Sequence, residues 1–179
     1  MTRLGRTTGR ALAALAALLL AAGCNDSTTR PSMQGNLEVR LTDAPIDGVA
    51  QINVYITGVT VKPAAGPVER IVGDVGLVDL LSLRGSSQLL ARAGVAPGEY
   101  EFVQIDLDQD RSNLVLDAGR QVLPLRIASQ EVKVLGGFTV TAQAATVLTL
   151  DFDAAASLRR EGNGNYLLVP VIVQAGAST

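Results

Sequence analysis

The chain has 179 residues, with 15 Lys+Arg against 17 Asp+Glu, no His, no Trp and one Cys. Without histidine, Ser-His-Asp and Cys-His catalysis and His-built zinc sites are excluded, and a single cysteine excludes an internal disulfide. The mild acidic excess carries no electrostatic footprint for nucleic acid, and any acid–base chemistry falls to carboxylates, Tyr or Arg.

The chain opens with Arg3, Arg6 and Arg10, followed by residues 11–22, all Ala or Leu, and then Gly23-Cys24. A basic start, a short apolar middle and small residues at the end form the pattern of a secretory signal peptide. The run is shorter than the roughly 20 apolar residues that span a bilayer. The ending Leu20-Ala21-Ala22-Gly23-Cys24 resembles a bacterial lipobox, with Ala21 where Leu is commoner. That resemblance implies cleavage before Cys24 and a lipidated, three-chain cysteine, and two chains already give stable anchoring. Removal of residues 1–23 takes three Arg and no acid, so 15 less 3 basic groups face 17 acidic ones, a balance of −5. Residues 24–34 are polar, contain Pro31 and read as a flexible tether. The expected location is the bacterial cell envelope, on the periplasmic or outer-membrane face, with the membrane as partner through the lipid.

Residues 35–175 read as one domain. GNLEVRL at 35–41 alternates cleanly, a half-buried strand with Leu37, Val39 and Leu41 on one face. Residues 42–48 form a turn-rich loop in which Asp43 and Asp47 can bond nearby backbone N–H groups, and Pro45 biases its neighbour to extended geometry. Residues 49–61 are a longer strand whose apolar set changes parity after Gly58, the mark of a β-bulge. Short strands are expected at 68–72 and 77–83. SSQLLARA at 86–93 lacks β-branched residues and predicts one or two helical turns capped by Ser86. Strands follow at 100–107, 113–116, 121–127, 132–134, 138–142 and 146–153. A hairpin-like turn lies at 117–120, and Pro124 marks an edge or bulge. An apolar strand at 166–173 closes the domain. About ten short strands with turn signals between them argue an all-β, antiparallel β-sandwich with one short helix.

Four ordered pieces carry a resemblance: Leu41-Thr42-Asp43-Ala44-Pro45, Ala96-Pro97-Gly98-Glu99-Tyr100, Leu150-Asp151-Phe152-Asp153-Ala154 with Ser157-Leu158, and Pro170-Val171-Ile172. Over about residues 35–174 the chain resembles the family called domain of unknown function 4382, and Val78-Asp79-Leu80-Leu81 also fits. The resemblance implies a secreted β-sandwich similar to prealbumin-like and carbohydrate-binding-like modules, and no established activity. The family's Pro-Ser turn after the central hairpin is blurred here, with Pro124 and Ser129 apart.

The sharpest chemical pattern is Asp106, Asp108 and Asp110 with Asp117, acids at positions 1, 3, 5 and 12 as in an EF-hand calcium loop, but with Arg111 where that loop needs Gly. The competing reading is an ordinary polar strand face followed by a turn. Asp151 and Asp153 project to one side of a strand end and either share a cation, do glycosidase-type work or bond loop backbone; the last is preferred. Asp43, Gly98, Tyr100 and Ser157, with Pro45, are read as structural motif residues. Tyr55, Tyr100, Tyr166 and the phenylalanines are assigned to the core. The expectation is a non-enzymatic, lipid-anchored interaction module without cofactor, whose partner is envelope polysaccharide or protein. A calcium-dependent adhesion module and a carboxylate-based glycan hydrolase are the alternatives.

Overall fold

A computed structural model describes residues 33–43 and 46–179. The signal segment, Cys24, the tether up to residue 32 and Pro45 lie outside the described residues. Two mixed sheets stack face to face. The first runs in the order β11-β8-β1-β4, built from Ile172–Ser178, Ala145–Phe152, Gly35–Asp43 and Gln88–Val95. The second runs β3-β2-β5-β6-β10-β9, from Glu69–Asp79, Val49–Pro63, Gly98–Leu116, Val122–Ile127, Tyr166–Leu168 and Leu158–Arg160. In it β7 (Glu131–Val140) also pairs with β5. The all-β sandwich expected from the sequence is thus the architecture. Its sheets are mixed rather than purely antiparallel, because β1 pairs β8 in parallel and β10 pairs β6 in parallel.

Alternation drives the burial. Leu37, Val39 and Leu41 of β1 and Leu148, Leu150 and Phe152 of β8 are at most 1% exposed, and they face Ile52, Val54, Ile56, Ile105 and Leu114 of the other sheet. Gly58 sits at a register shift in β2, so Val59 and Val61 return to the core face after the parity change. β5 is a single 19-residue strand that continues through 113–116. A wide bulge lets it do so: Tyr55 faces Asp108 while Asn53 faces Asn113. β7 is likewise continuous, and Gly136-Gly137 forms a bulge inside it, with Gly137 at φ 63, in place of a turn.

Other expectations need correction. The 86–93 segment is strand β4, since pairing with β1 outweighs its weak helix signal. The expected strands at 68–72 and 77–83 are one strand, β3, followed by a 3-10 turn at Leu80–Leu83. The α-helix is the single turn Ala154–Ser157, α1. The expected strand at 166–173 divides around Pro170 into β10 and β11, which belong to different sheets. Pro124 faces Asn113 on the β5 side, and pairing with β10 begins only at Leu125. Tyr100, Phe138 and Phe152 are core, but Tyr55 and Phe102 alternate with core residues and lie half-buried on the outer face.

β3 ends the larger sheet, and its free edge is interrupted by Asp74 (φ 48) and Gly76 (φ 97), opposite Ile56–Gly58 of β2. Where β6 and β7 part company along β5, side chains complete the ladder. Gln109 Oε1 accepts from Ile127 N at 2.9 Å, and Gln130 Oε1 accepts from Gln109 N at 3.2 Å. Gln109→Leu leaves the part-buried Ile127 N–H without its partner. A loss of about 1–3 kcal/mol is expected, read as a lower urea midpoint with unchanged slope and faster hydrogen exchange at Ile127.

Candidate functional site

One end of the sandwich gathers the loop between β1 and β2, the 3-10 turn after β3, the β5–β6 turn and α1. Buried polar groups hold it together. Asp43, 7% exposed, accepts Ala154 N at 3.0 Å. Asp153 caps α1 by accepting Ala156 N at 2.8 Å. Ser157, fully buried, donates to Asp153 O at 2.5 Å and accepts Val171 N at 2.8 Å, while its carbonyl accepts Val169 N at 2.9 Å. Thr42 Oγ1 donates to Asp151 Oδ1 at 3.1 Å. The structure therefore joins Asp43, Asp153 and Ser157 in a backbone-satisfying network.

Beside this network lies an open cleft of about 350 Å³, lined among others by Asp47, Asp79, Ser82, Arg84, Asp117 and Arg120. Asp79 is committed: Oδ1 accepts Leu81 N at 3.1 Å and Ile52 N at 3.3 Å. Arg84 donates to Ile46 O at 3.2 Å. Asp47, Asp117 and Arg120 are exposed and make no side-chain hydrogen bond or ion pair within the described residues. Arg120 adopts φ 52, a left-handed conformation that costs a non-glycine residue free energy, and lines the cleft. The sequence signal for this cleft was the turn chemistry at Asp47 and at 117–120. The 79–84 wall was missed because its leucines read as strand.

The aspartates of the expected calcium loop stand along β5. Asp106 pairs with Arg70 at 2.7 Å and accepts Gln104 Nε2 at 2.7 Å. Asp108 Oδ1 accepts Asp110 N and Arg111 N, and its Oδ2 takes Arg111 Nε at 2.7 Å. Asp110 is exposed, and Asp117 lies beyond the end of the strand. Among the described residues no three His, Cys, Asp or Glu side chains form a metal-holding group. Arg111 also lies 3.6 Å over the Tyr55 ring. The Arg111 guanidinium holds the Asp108 carboxyl below the ordinary 3.8, and the Tyr55 hydroxyl is raised mainly by its hydrogen bond to the Asp74 carboxylate, which favours the protonated phenol.

At the opposite end, Tyr100 OH donates to Ala96 O at 2.7 Å and the ring stacks on Phe138 at 5.0 Å. Gly98 at φ 143 makes the turn between them. Ala96-Pro97-Gly98-Glu99-Tyr100 is thus a strand-entry lock.

Two predictions follow from this geometry. Ser157→Ala takes the hydroxyl partner from Val171 N in a part-buried hydrogen bond and is expected to lose about 1–3 kcal/mol, whereas Asp47→Ala leaves the melting temperature unchanged. Because the folded-state value of Asp108 lies below its unfolded one, its stabilisation is present above about pH 4 and disappears as pH falls through the folded value. The melting-temperature gap between wild type and Arg111→Gln is therefore expected to narrow as pH is lowered from neutrality to below the ordinary 3.8.

No curated protein and no solved structure matches the chain. The profile of the family described as Domain of unknown function (DUF4382) matches residues 34–170. That match covers both sheets up to Pro170 and every one of the motif residues Asp43, Pro45, Gly98, Tyr100 and Ser157. The chain belongs to the DUF4382 family.

Proposed function

We propose that this chain is a lipid-anchored, non-enzymatic module of the bacterial envelope that binds a polar ligand, envelope polysaccharide before protein, in the loop-end cleft. The observation that carries the reading is the cleft itself: exposed Asp47, Asp117 and Arg120 stand around it without internal side-chain partners, on loops joined by the Asp117 N to Gly48 O hydrogen bond. Carboxylates and guanidinium groups both hydrogen-bond adjacent sugar hydroxyls, and preorganised donors and acceptors lower the entropy lost on binding. The non-enzymatic part is supported by the commitment of Asp43, Asp79 and Asp153 to backbone N–H groups. The anchor is supported by the sequence of residues 3–24.

Full-length protein on a glycan array tests the cleft. Asp117→Ala with Arg120→Ala is expected to weaken binding at least tenfold while leaving the melting temperature in place; wild type bound to no glycan, or a variant that binds equally, refutes the polysaccharide reading. Calcium is expected to leave the melting temperature unchanged, and a rise that is lost in Asp108→Asn would restore the aspartate-loop alternative. Cys24→Ala is expected to move the protein from the membrane fraction to the soluble one.

A further inference from the structure

The two ends of the sandwich differ in charge. The cleft end carries Asp47, Arg84, Asp117, Arg120 and Asp153. The other end is made by residues 33–36, 63–68, 96–98 and 141–145, segments without a charged residue of their own, with exposed Glu69 and Glu99 flanking them. Its turns instead expose apolar groups. Met33 is 59% and Val68 57% exposed, and Ala64, Ala65, Pro67, Ala96 and Pro97 are exposed as well. A hollow of about 170 Å³ between the 63–65 and 96–100 turns is lined mainly by Pro and Ala.

This end is also built stiff. Lys62 Nζ donates to Pro63 O at 2.6 Å and to Gly66 O at 3.1 Å, which directs the ammonium to the turn's carbonyls. Ala64 N donates to Glu99 O at 2.8 Å, joining the two turns. Gln143 N donates to Gln34 O and Asn36 N to Ala144 O, fixing the chain's point of entry beside them.

That point of entry supplies the occupant. This end is where the chain arrives from Cys24, and the ten steps from Cys24 to Gln34 reach at most about 35 Å. A surface of exposed apolar turns within such reach of a bilayer loses exposed apolar area by resting on it. We infer that the turn end formed by residues 63–68 and 96–98 is a membrane-contact surface that seats the domain on the lipid headgroups and points the loop-end cleft away from them. The inference rests on the anchoring reading at Cys24. It needs no anionic lipid, because the contacting segments carry no basic side chain. The nine-residue β1 spans roughly 30 Å between the two ends, which sets the height of the cleft above the bilayer.

The test uses the full-length chain, produced in a bacterial host and reconstituted in phosphatidylcholine–phosphatidylethanolamine vesicles. Lipidation consumes the single native thiol, so a nitroxide can be placed at Ala65→Cys or at Ala118→Cys alone, both in exposed turns. Accessibility to oxygen, which partitions into lipid, is compared with accessibility to a water-soluble nickel chelate. The expected result is an oxygen-to-nickel ratio several times higher at position 65 than at 118, independent of added anionic lipid. Equal ratios at the two positions overturn the inference. Shielding of position 65 from both reagents overturns it too, since another macromolecule then covers the turns. A peptide containing Cys24 with no acyl mass shows instead that the anchoring reading has failed, and the seating falls with it.

Discussion

The structure depends on keeping backbone polar groups satisfied where the chain changes sheets. After β8 the polypeptide leaves the smaller sheet, makes α1, contributes β9 and β10 to the larger sheet and returns as β11. Each crossing strips strand partners from backbone N–H and C=O groups, a cost of about 1–3 kcal/mol for each one orphaned out of reach of water. The Ser157 hydroxyl and the Asp43 and Asp153 carboxylates supply the missing partners to Val171, Ala154 and Ala156. Strands β8 and β11 can then pair although they are separated in sequence by a visit to the other layer.

This constraint accounts for the acidic and hydroxylic side chains at Asp43, Asp153 and Ser157. Carboxylates at such corners bond several N–H groups at once, and charge-assisted bonds of this kind are the stronger ones. The same economy appears at Asp79, which caps the 3-10 turn while also accepting from Ile52 N of β2. Chemical potential is left to side chains that the corners do not use, and these stand in the neighbouring loops.

Much of the fold was legible because alternation is a direct record of a two-faced sheet. Leu37, Val39 and Leu41, and Leu148, Leu150 and Phe152, announced their strands, and the parity change at Gly58 announced its bulge. What was not legible was non-local. The 86–93 segment has no strong strand signal of its own and is extended because β1 offers it a ladder. The split at Pro170 follows from crossing between sheets, which leaves no periodic trace in a run of apolar residues. Tyr55 and Phe102 were assigned inward by hydrophobicity, yet strand parity with Val54 and Val103 puts them outside, where Arg111 and Lys133 lie over their rings. Turn chemistry suggested local roles for Asp43 and Ser157, whereas their bonds reach Ala154, 111 residues away, and Val171, 14 residues away. The cleft was not legible, since its walls come from three loops distant in sequence.

The interrupted margin of β3 has a consequence for crowded surfaces. A long, straight border of free amides and carbonyls would let neighbouring copies stitch together into ribbons, the more so for molecules confined to two dimensions at high local density. The kink at Asp74 and Gly76 breaks that border into pieces too short to template a second chain, and it plants a negative charge at the break. Copies packed side by side can thus remain separate particles.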